Sequence, residues 1–186
     1  RPRMDPLSYS SPEVVVPYAA YCKSLKSRNI YFSLARHLVR TAALKKGERV
    51  LDLGCGAGES TKAIVSAIGE NGTVIGIDPS ESMIESARRN LTSSNASFNV
   101  STAETIHQWV KPESVDSVIC GASIWYLDFS LTLGAVKAVL KRHGAFAFNL
   151  RWDVMPDDLP LGRAAARFMN EFGKKVVELA QEMDAC

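Results

Sequence analysis

Residues 49–58, RVLDLGCGAG, decide the fold of this chain. A short apolar run is interrupted by Asp52 and passes into a loop with glycine at positions 54, 56 and 58. Glycine has no Cβ, so it adopts positive φ readily and lets the backbone lie close to a ligand. A helix that follows directs unpaired N–H groups and the positive end of its dipole at such a loop. The stretch therefore predicts a strand, a tight turn and a helix, with a small-molecule site at the turn.

Composition narrows the class of protein. The 186 residues are 46% hydrophobic and 23% charged, with a formal net charge of +2, which suits one globular domain and no nucleic-acid partner. The cysteines form no C-x-x-C pair, which argues against a metal site and a disulfide framework and favours a cytoplasmic location. We also expect no membrane partner, because no apolar run is long enough to cross a bilayer and the start does not look like a signal peptide. The cysteines are Cys22, Cys55, Cys120 and Cys186.

Strand-like and helix-like segments alternate along the chain. Strands are predicted over residues 49–53, 73–77, 96–100, 115–120 and 144–150. A first helix is predicted around the row Ile30, Leu34, Leu38 and Ala42, and a second follows the glycine loop and ends at Gly69. Further helices are predicted over residues 81–91, 131–140 and 161–183, with a helix or turn over 104–110. This order predicts a doubly wound, Rossmann-like α/β fold with a mainly parallel sheet and helices on both faces. Ligands of such folds bind beyond the carboxyl ends of the strands.

Spacing and charge separate two classes of cofactor. A dinucleotide fingerprint has the form G-x-G-x-x-G, whereas the glycines here are evenly spaced and Asp52 precedes the first of them by two residues. A carboxylate at this point repels a pyrophosphate and attracts the ammonium and sulfonium groups of S-adenosylmethionine. The pattern therefore favours S-adenosylmethionine over a nicotinamide cofactor.

The motifs resemble those of the class I S-adenosylmethionine-dependent methyltransferases, in particular the small-molecule, type 11/25-like group. LDLGCGAG resembles the first motif, VIGIDPSESMIESAR the second, and SFNVSTAETI the third, where Thr102-Ala103 stands for the more common Asp-Ala. The resemblance implies S-adenosylmethionine as cofactor, S-adenosylhomocysteine as product, and Asp78 on the ribose hydroxyls. The cofactor-binding residues that it implies are Asp52, Gly54, Cys55, Gly56, Gly58, Asp78, Pro79, Ser80, Met83, Thr102, Ala103, Glu104 and Gly121.

Several of these residues also have a purely structural interpretation. The glycines serve a tight turn in any case, and Asp78 is a candidate cap for the next helix, although Ser80 is better placed for that role. Met83 is as consistent with the hydrophobic core as with an adenine contact. Cys55 has no partner nearby and is consistent with a small filler residue.

The resemblance implies methyl transfer to a small-molecule acceptor at oxygen, nitrogen or carbon. In-line displacement needs mainly proximity and alignment, so no catalytic residue is assigned; His107 and Tyr126 are the candidates if a general base takes part. The Asn-Pro-Pro-Tyr lip of enzymes that methylate exocyclic or amide nitrogens is absent. The residues predicted to contact the acceptor are Tyr18, Tyr21, Ser123, Trp125, Tyr126 and Arg151, with packing under the next helix as an alternative for Trp125.

We expect a single domain over residues 1–186. Residues 1–28 are interpreted as an arm or lid, 29–150 as the cofactor-binding core, and 151–186 as a loop and helix that caps the substrate pocket, packs on the sheet or forms a homodimer. The C-terminal antiparallel strands of the family are missing after residue 150, which suggests a truncated chain. Two other functions stay open: a non-catalytic S-adenosylmethionine-binding regulatory or scaffold module, and a nicotinamide-dependent oxidoreductase.

Overall fold

The computed structural model describes residues 25–149. The arm residues Tyr18 and Tyr21, Arg151 and the predicted C-terminal helix lie outside this range. The elements in chain order are α1 (Leu25–Thr41), β1 (Arg49–Leu53), α2 (Glu59–Ile68), β2 (Thr73–Asp78), α3 (Glu81–Asn90), β3 (Ala96–Val100), a first 3₁₀ helix (Ala103–Gln108), β4 (Val115–Cys120), a second 3₁₀ helix (Ile124–Tyr126), α4 (Phe129–Val139) and β5 (Leu140–Phe148).

The five strands form one parallel sheet in the order β3-β2-β1-β4-β5. Val50 of β1 pairs with Val74 of β2 on one side and with Ser117 of β4 on the other. The strand order therefore reverses at β1, which has β2 on one side and β4 on the other. In open parallel sheets the crevice at this point is where ligands bind.

Alternating side chains of each strand face opposite sides of the sheet, and each side carries helices. Leu51 and Leu53 point to the face covered by the first 3₁₀ helix and α4, where the largest core cluster lies. Val50 points to the face covered by α1 and α2, and a smaller cluster joins α3 to β3 on that side. Both faces are thus buried, as the apolar composition of β1 requires.

The predicted doubly wound fold is confirmed, and β1, β3 and β4 have the predicted bounds. Helix α1 begins at Leu25, however, so the predicted boundary between arm and core at residues 28 and 29 falls inside a helix. Within residues 31–41 its buried side chains are Ala35, Leu38 and Val39, while Leu34 is only partly buried. Of the predicted row, Leu38 is buried and Ala42 packs against the same cluster, and Ala35 and Val39 are buried with them because α1 packs along α2.

Helix α4 and strand β5 also begin earlier than predicted. Asp128 caps α4, since its side chain accepts a hydrogen bond from the Leu131 N–H, and the helix accordingly starts at Phe129. Strand β5 starts at Leu140 instead of Gly144, with a register shift between the pairings of Val115 and Ser117. The sequence pattern misplaced this start because it took residues 142–144 for a turn before the strand.

Within residues 25–149, no helix combines the length and apolar character that a bilayer crossing requires. The same range contains no group of three or more His, Cys, Asp and Glu side chains arranged around a common point that suits a metal ion.

Candidate functional site

The loop from Gly54 to Gly58 follows β1 and is fastened to the end of β2. The N–H groups of Gly54 and Cys55 both donate to the Ile77 carbonyl, at 2.9 and 3.0 Å. Gly54 has φ +71, and a Cβ there would lie 2.6 Å from the Ser123 Cβ. Gly56 has φ +53, and nothing lies within 4 Å of the place its Cβ would take. The loop is therefore tightly packed at Gly54 and open at Gly56.

Asp52 lies in β1 immediately before this loop and is fully buried. Its Oδ2 accepts hydrogen bonds from the Ser60 hydroxyl at 2.7 Å and from the Thr61 hydroxyl at 2.6 Å. Its Oδ1 is also buried and has no hydrogen-bond partner among residues 25–149. A buried carboxylate oxygen without a donor costs free energy. The arrangement therefore suits a ligand that brings an N–H donor or a positive charge to Oδ1.

The electrostatic surroundings of Asp52 oppose its charge. Burial raises the pKa of Asp52 to about 6, while the hydrogen bonds from Thr61 and Ser60 lower it. The negative charges of Asp78 and Glu59 raise the pKa further. A cationic ligand reverses this balance, because opposite charge stabilises the ionised carboxylate.

Asp78 ends β2 on the other side of the glycine loop and is 4% exposed. Its Oδ2 accepts from the Gly56 N–H at 3.0 Å and its Oδ1 from the Ser80 N–H at 2.9 Å. Burial raises the pKa of Asp78, and these two bonds oppose the rise. A carboxylate has about four acceptor positions, so two remain for a ligand after the loop and the start of α3 are held.

Ser80 stands at the N-cap position of α3, yet its hydroxyl makes no capping hydrogen bond and lies 3.1 Å from the Ser82 hydroxyl. The expectation that Ser80 caps this helix was therefore wrong. Asp78 takes part of that role through the Ser80 N–H.

The remaining predicted cofactor residues divide into core and surface. The side chains of Cys55 and Ala103 are buried in hydrophobic clusters. We therefore expect these two residues to contact a ligand through their backbone. Burial also raises the pKa of the Cys55 thiol. Met83 is 5% exposed, and Thr102 is the exposed N-cap of the first 3₁₀ helix, where it forms a capping box with Thr105. Pro79 and Glu104 are exposed, whereas Gly58 is buried and Gly121 half-buried.

Residues 121–126 follow β4 and form a segment that we call the β4 lip. The Ser123 hydroxyl donates to the Leu53 carbonyl at 3.0 Å and lies 3.1 Å from the Cys120 Sγ. Ala122 has φ +57, and its N–H donates to the Asn149 Oδ1 at 2.7 Å. The lip is thus held at the carboxyl end of β1 by one side chain and at the end of β5 by another.

The two candidate catalytic residues lie on different elements. His107 is exposed on the first 3₁₀ helix. Tyr126 is half-buried in the second 3₁₀ helix and packs against the largest core cluster. Trp125 belongs to the same short helix. The structure brings Asp52, the glycine loop, Asp78 and Ser123 together, whereas His107 is exposed on the first 3₁₀ helix, which covers one face of the sheet.

Three residues of this region were missed by the sequence reasoning. Ser60 and Thr61 carry hydroxyls in the first turn after the glycine loop, which is a readable signal for contact with Asp52. Asn149 follows β5, and its place at the carboxyl edge is readable once the strand is assigned. Its pairing with Ala122 joins residues 27 positions apart and has no local signal.

A doubly wound sheet with a glycine loop and two buried carboxylates at neighbouring strand ends defines a domain that binds a nucleoside-type cofactor. A protein-family model described as a methyltransferase domain matches residues 44–184. The chain belongs to this family, the class I S-adenosylmethionine-dependent methyltransferases.

Individual relatives agree with the family. The chain is 34% identical over 120 residues to aklanonic acid methyltransferase DauC of Streptomyces sp. (strain C5), covering 62% of this chain and 54% of that protein. It is 31% identical over 126 residues to trans-aconitate 2-methyltransferase of Rhizobium rhizogenes, covering 67% of this chain and 45% of that protein. The chain therefore spans about half the length of these curated relatives.

Solved structures share the fold. A S-adenosylmethionine-dependent methyltransferase from Aquifex aeolicus matches with a TM-score of 0.58 and 26% identity, covering 66% of this chain and 68% of that chain. A chain from the complex between the Haloferax volcanii Trm112 methyltransferase activator and a methyltransferase matches with a TM-score of 0.61 and 27% identity, covering 71% of this chain and 56% of that chain.

Proposed function

We propose that this chain binds S-adenosylmethionine and transfers its methyl group to a small-molecule acceptor. The observation that carries the proposal is the Asp52 carboxylate, which is buried and has one oxygen without a hydrogen-bond partner among residues 25–149. S-adenosylmethionine offers an ammonium group with N–H donors, and a pyrophosphate offers only negative charge. The proposal therefore explains why an acid precedes this glycine loop.

The residues at the loop have separate roles in this proposal. Asp52 accepts from the ammonium group, and Asp78 uses its free acceptor positions for the ribose hydroxyls. Gly56 leaves room for the ligand beside the backbone. The adenine is assigned to the group formed by Pro79, Ser80, Met83, Thr102, Ala103 and Glu104, with Gly54, Cys55, Gly58 and Gly121 contributing backbone.

Methyl transfer itself asks little more of the protein than positioning. The bound cofactor supplies a methyl carbon activated by a positively charged sulfur. The chain must align the acceptor with that carbon and exclude water, which is the effect of proximity and orientation. The β4 lip adjoins the glycine loop through Ser123 and Gly54, and for this reason we assign the acceptor to this side.

The acceptor contacts that we propose are Tyr18, Tyr21, Ser123, Trp125, Tyr126 and Arg151. A general base is needed only for an acceptor that must lose a proton, with His107 and Tyr126 as candidates. Relatives named for aklanonic acid, trans-aconitate and demethylmenaquinone support a small-molecule acceptor over a macromolecule.

The proposal includes the two segments that flank the cofactor-binding core. Residues 1–28 cover the site as an arm and residues 151–186 cap it or form a homodimer through their helix, within the single domain whose family match runs to residue 184. Nucleic acid and membrane are not proposed as partners. Cys55 and Cys120 are buried free thiols, which supports a reducing, cytoplasmic location.

Calorimetric titration tests the cofactor, and a turnover assay tests the reaction. We expect the chain to bind S-adenosylmethionine and S-adenosylhomocysteine and to bind neither NAD nor NADP. Saturated protein is then incubated with a mixed library of small molecules, and formation of S-adenosylhomocysteine is measured. Tight binding without turnover across the library favours the non-catalytic module. Binding of NAD in place of S-adenosylmethionine refutes the proposal.

A further inference from the structure

The first turn of α2 directs two consecutive hydroxyls at one carboxylate oxygen. The Ser60 Oγ lies 2.7 Å and the Thr61 Oγ1 2.6 Å from the Asp52 Oδ2, and both residues are buried. Neighbouring residues of a helix point in different directions. Both can reach one atom here because Asp52 lies one residue before the end of β1, close to the beginning of α2.

Hydroxyls inside helices usually bond back to their own backbone. Ser66 in the same helix donates to the Lys62 carbonyl at 3.0 Å, and Ser86 in α3 donates to the Ser82 carbonyl at 2.8 Å. Ser60 and Thr61 instead donate across to β1. Their orientation is therefore tied to Asp52 and is not a general property of this chain's serines and threonines.

Among the described residues, the charged groups that shift the pKa of Asp52 are both negative. They are Asp78 from β2 and Glu59 from α2, and both oppose its ionisation. The neighbouring thiols Cys55 and Cys120 have raised pKa values because of burial, so they are neutral at physiological pH. The two hydroxyls are thus the groups within residues 25–149 that favour the charged form of Asp52.

We propose that Ser60 and Thr61 are positioning residues for the cofactor: together they keep Asp52 ionised and hold its Oδ1 free for the ammonium group. The inference rests on the proposed function. The ammonium is the partner because it carries N–H donors, whereas a sulfonium has none. Since the product S-adenosylhomocysteine retains the same ammonium, the hydroxyl pair acts on both compounds alike.

The role of Ser60 and Thr61 is tested by the pH dependence of cofactor binding. Ionised Asp52 binds the ammonium, so affinity is full above the pKa of the unliganded protein, about 6, and falls as pH decreases below it. Loss of either hydroxyl removes a bond that favours the ionised form, which raises this midpoint. For Thr61→Val and Ser60→Ala we expect an increase of about one pH unit, the size of one hydrogen bond to a charged group.

Dissociation constants for S-adenosylmethionine and S-adenosylhomocysteine are measured by calorimetry from about pH 5 to about pH 8. Thr61→Ser keeps a hydroxyl and should restore the wild-type midpoint. Ser66→Ala removes a hydroxyl of the same helix that faces away from Asp52, and should leave the midpoint unchanged. Carbon NMR titration of the Asp52 carboxyl in the unliganded variants gives a second readout, independent of any ligand.

The outcomes separate the two proposals. A raised midpoint in Thr61→Val and Ser60→Ala, with Thr61→Ser and Ser66→Ala at the wild-type value, supports the inference. Wild-type binding of both compounds with an unmoved midpoint in Thr61→Val and Ser60→Ala overturns the inference and leaves the proposed function intact. Absence of binding by the wild-type chain at every pH overturns both. Should Thr61→Val fail to fold, Ser60→Ala decides alone.

Discussion

The glycine loop and the β4 lip lie side by side at the carboxyl edge of the sheet, yet they are built differently. The loop reaches positive φ with glycine, as at Gly54 and Gly56, and is fastened by backbone hydrogen bonds to Ile77. The lip places a non-glycine residue, Ala122, at φ +57. Its two fastenings come from side chains, the Ser123 hydroxyl to a residue 70 positions away and the Asn149 amide to one 27 positions away.

This difference has a physical consequence. The loop is held by its own glycines, by backbone hydrogen bonds to Ile77 and by one side chain, Asp78, so its shape depends on few residues outside it. A lip held by distant side chains takes its shape from the rest of the fold, and small changes elsewhere alter it. We therefore expect the cofactor side of the site to be robust in shape and the acceptor side to be adaptable, which suits a family whose members act on different acceptors.

The largest effect is expected at Gly54, where the loop and the lip touch. In Gly54→Ala the new Cβ would lie 2.6 Å from the Ser123 Cβ, so both segments must shift. Overpacking and the positive φ together should cost about 2–4 kcal/mol of unfolding free energy. Gly47→Ala is the matched control, because Gly47 has φ +84 with nothing within 4 Å of a Cβ.

Chemical denaturation of both variants measures the difference. In Gly47→Ala the unfolding free energy should fall only by the cost of positive φ, about 1–2 kcal/mol. Equal losses in the two variants would mean that the contact between loop and lip carries no free energy. Gly54→Ala should also weaken S-adenosylmethionine binding, while Gly47→Ala should not.

The next effect concerns Asp52, which we expect to favour binding at the expense of stability. Its pKa of about 6 in the folded protein lies above the ordinary value of 3.8. The folded state therefore holds the proton more tightly, and stability decreases as pH rises from about 4 to about 6. At neutral pH the ionisation of buried Asp52 lowers the unfolding free energy by up to about 3 kcal/mol.

Asp52→Asn is thus expected to raise the unfolding free energy at neutral pH while it lowers S-adenosylmethionine affinity by about ten- to a hundredfold, the loss of one hydrogen bond to a charged group. Thermal melts of the variant and wild-type proteins at pH values below and above 6 measure the stability change, and calorimetry measures the affinity. A variant that is both less stable and equally tight in binding would contradict this role.

A smaller effect is expected within the lip. Asn149→Ala removes the acceptor for the Ala122 N–H and should cost about 1 kcal/mol. Ala122→Gly relieves a positive φ and should stabilise the protein by up to about 1 kcal/mol. If the Asn149 amide serves to hold the lip in this conformation, its loss should cost less in the Ala122→Gly background.

A double-mutant cycle on unfolding free energies measures the coupling between these two positions. Cofactor affinity should change little in either variant, because neither residue belongs to the glycine loop. Additive effects would show that Asn149 and the strain at Ala122 are independent.

The smallest effect is expected far from both segments, near the amino-terminal ends of β4 and β5. Lys141 forms an ion pair of 2.7 Å with Asp116, and both side chains are partly exposed. Burial acts to raise the pKa of Asp116, but the hydrogen bonds from Lys141 and the Arg49 N–H and the charge of Lys141 together lower it. Lys141→Gln should cost less than about 1 kcal/mol, and less still at high salt. Binding of S-adenosylmethionine should be unaffected, which makes this variant a control for the others.

Much of the fold was readable from local pattern. The strands β1, β3 and β4 have the predicted bounds because an apolar run and the turn residues around it are local properties. The errors fall where a distant contact moved a boundary. Strand β5 begins early because Leu140 pairs with Val115, and the buried face of α1 follows its packing along α2.

The candidate site divides in the same way. Asp52, the glycines and Asp78 form a motif of residue types and spacings, and the sequence alone identified them. Ser80 was mistaken for a cap because residue type predicts capping ability, whereas the Asp78 side chain in fact reaches the Ser80 N–H. Asn149 was missed because the sequence placed it inside the predicted strand 144–150, whereas β5 ends at Phe148.

The sequence by itself determined the parallel sheet, the place of the candidate site and the sign of charge at the glycine loop, since these depend on periodicity, glycine spacing and an acid at a strand end. Only the tertiary structure decided that one Asp52 oxygen is bound by Ser60 and Thr61 while the other is left without a partner among residues 25–149. Hydrogen-bond partners depend on directions in space, and those are set when β1, α2 and β4 pack together.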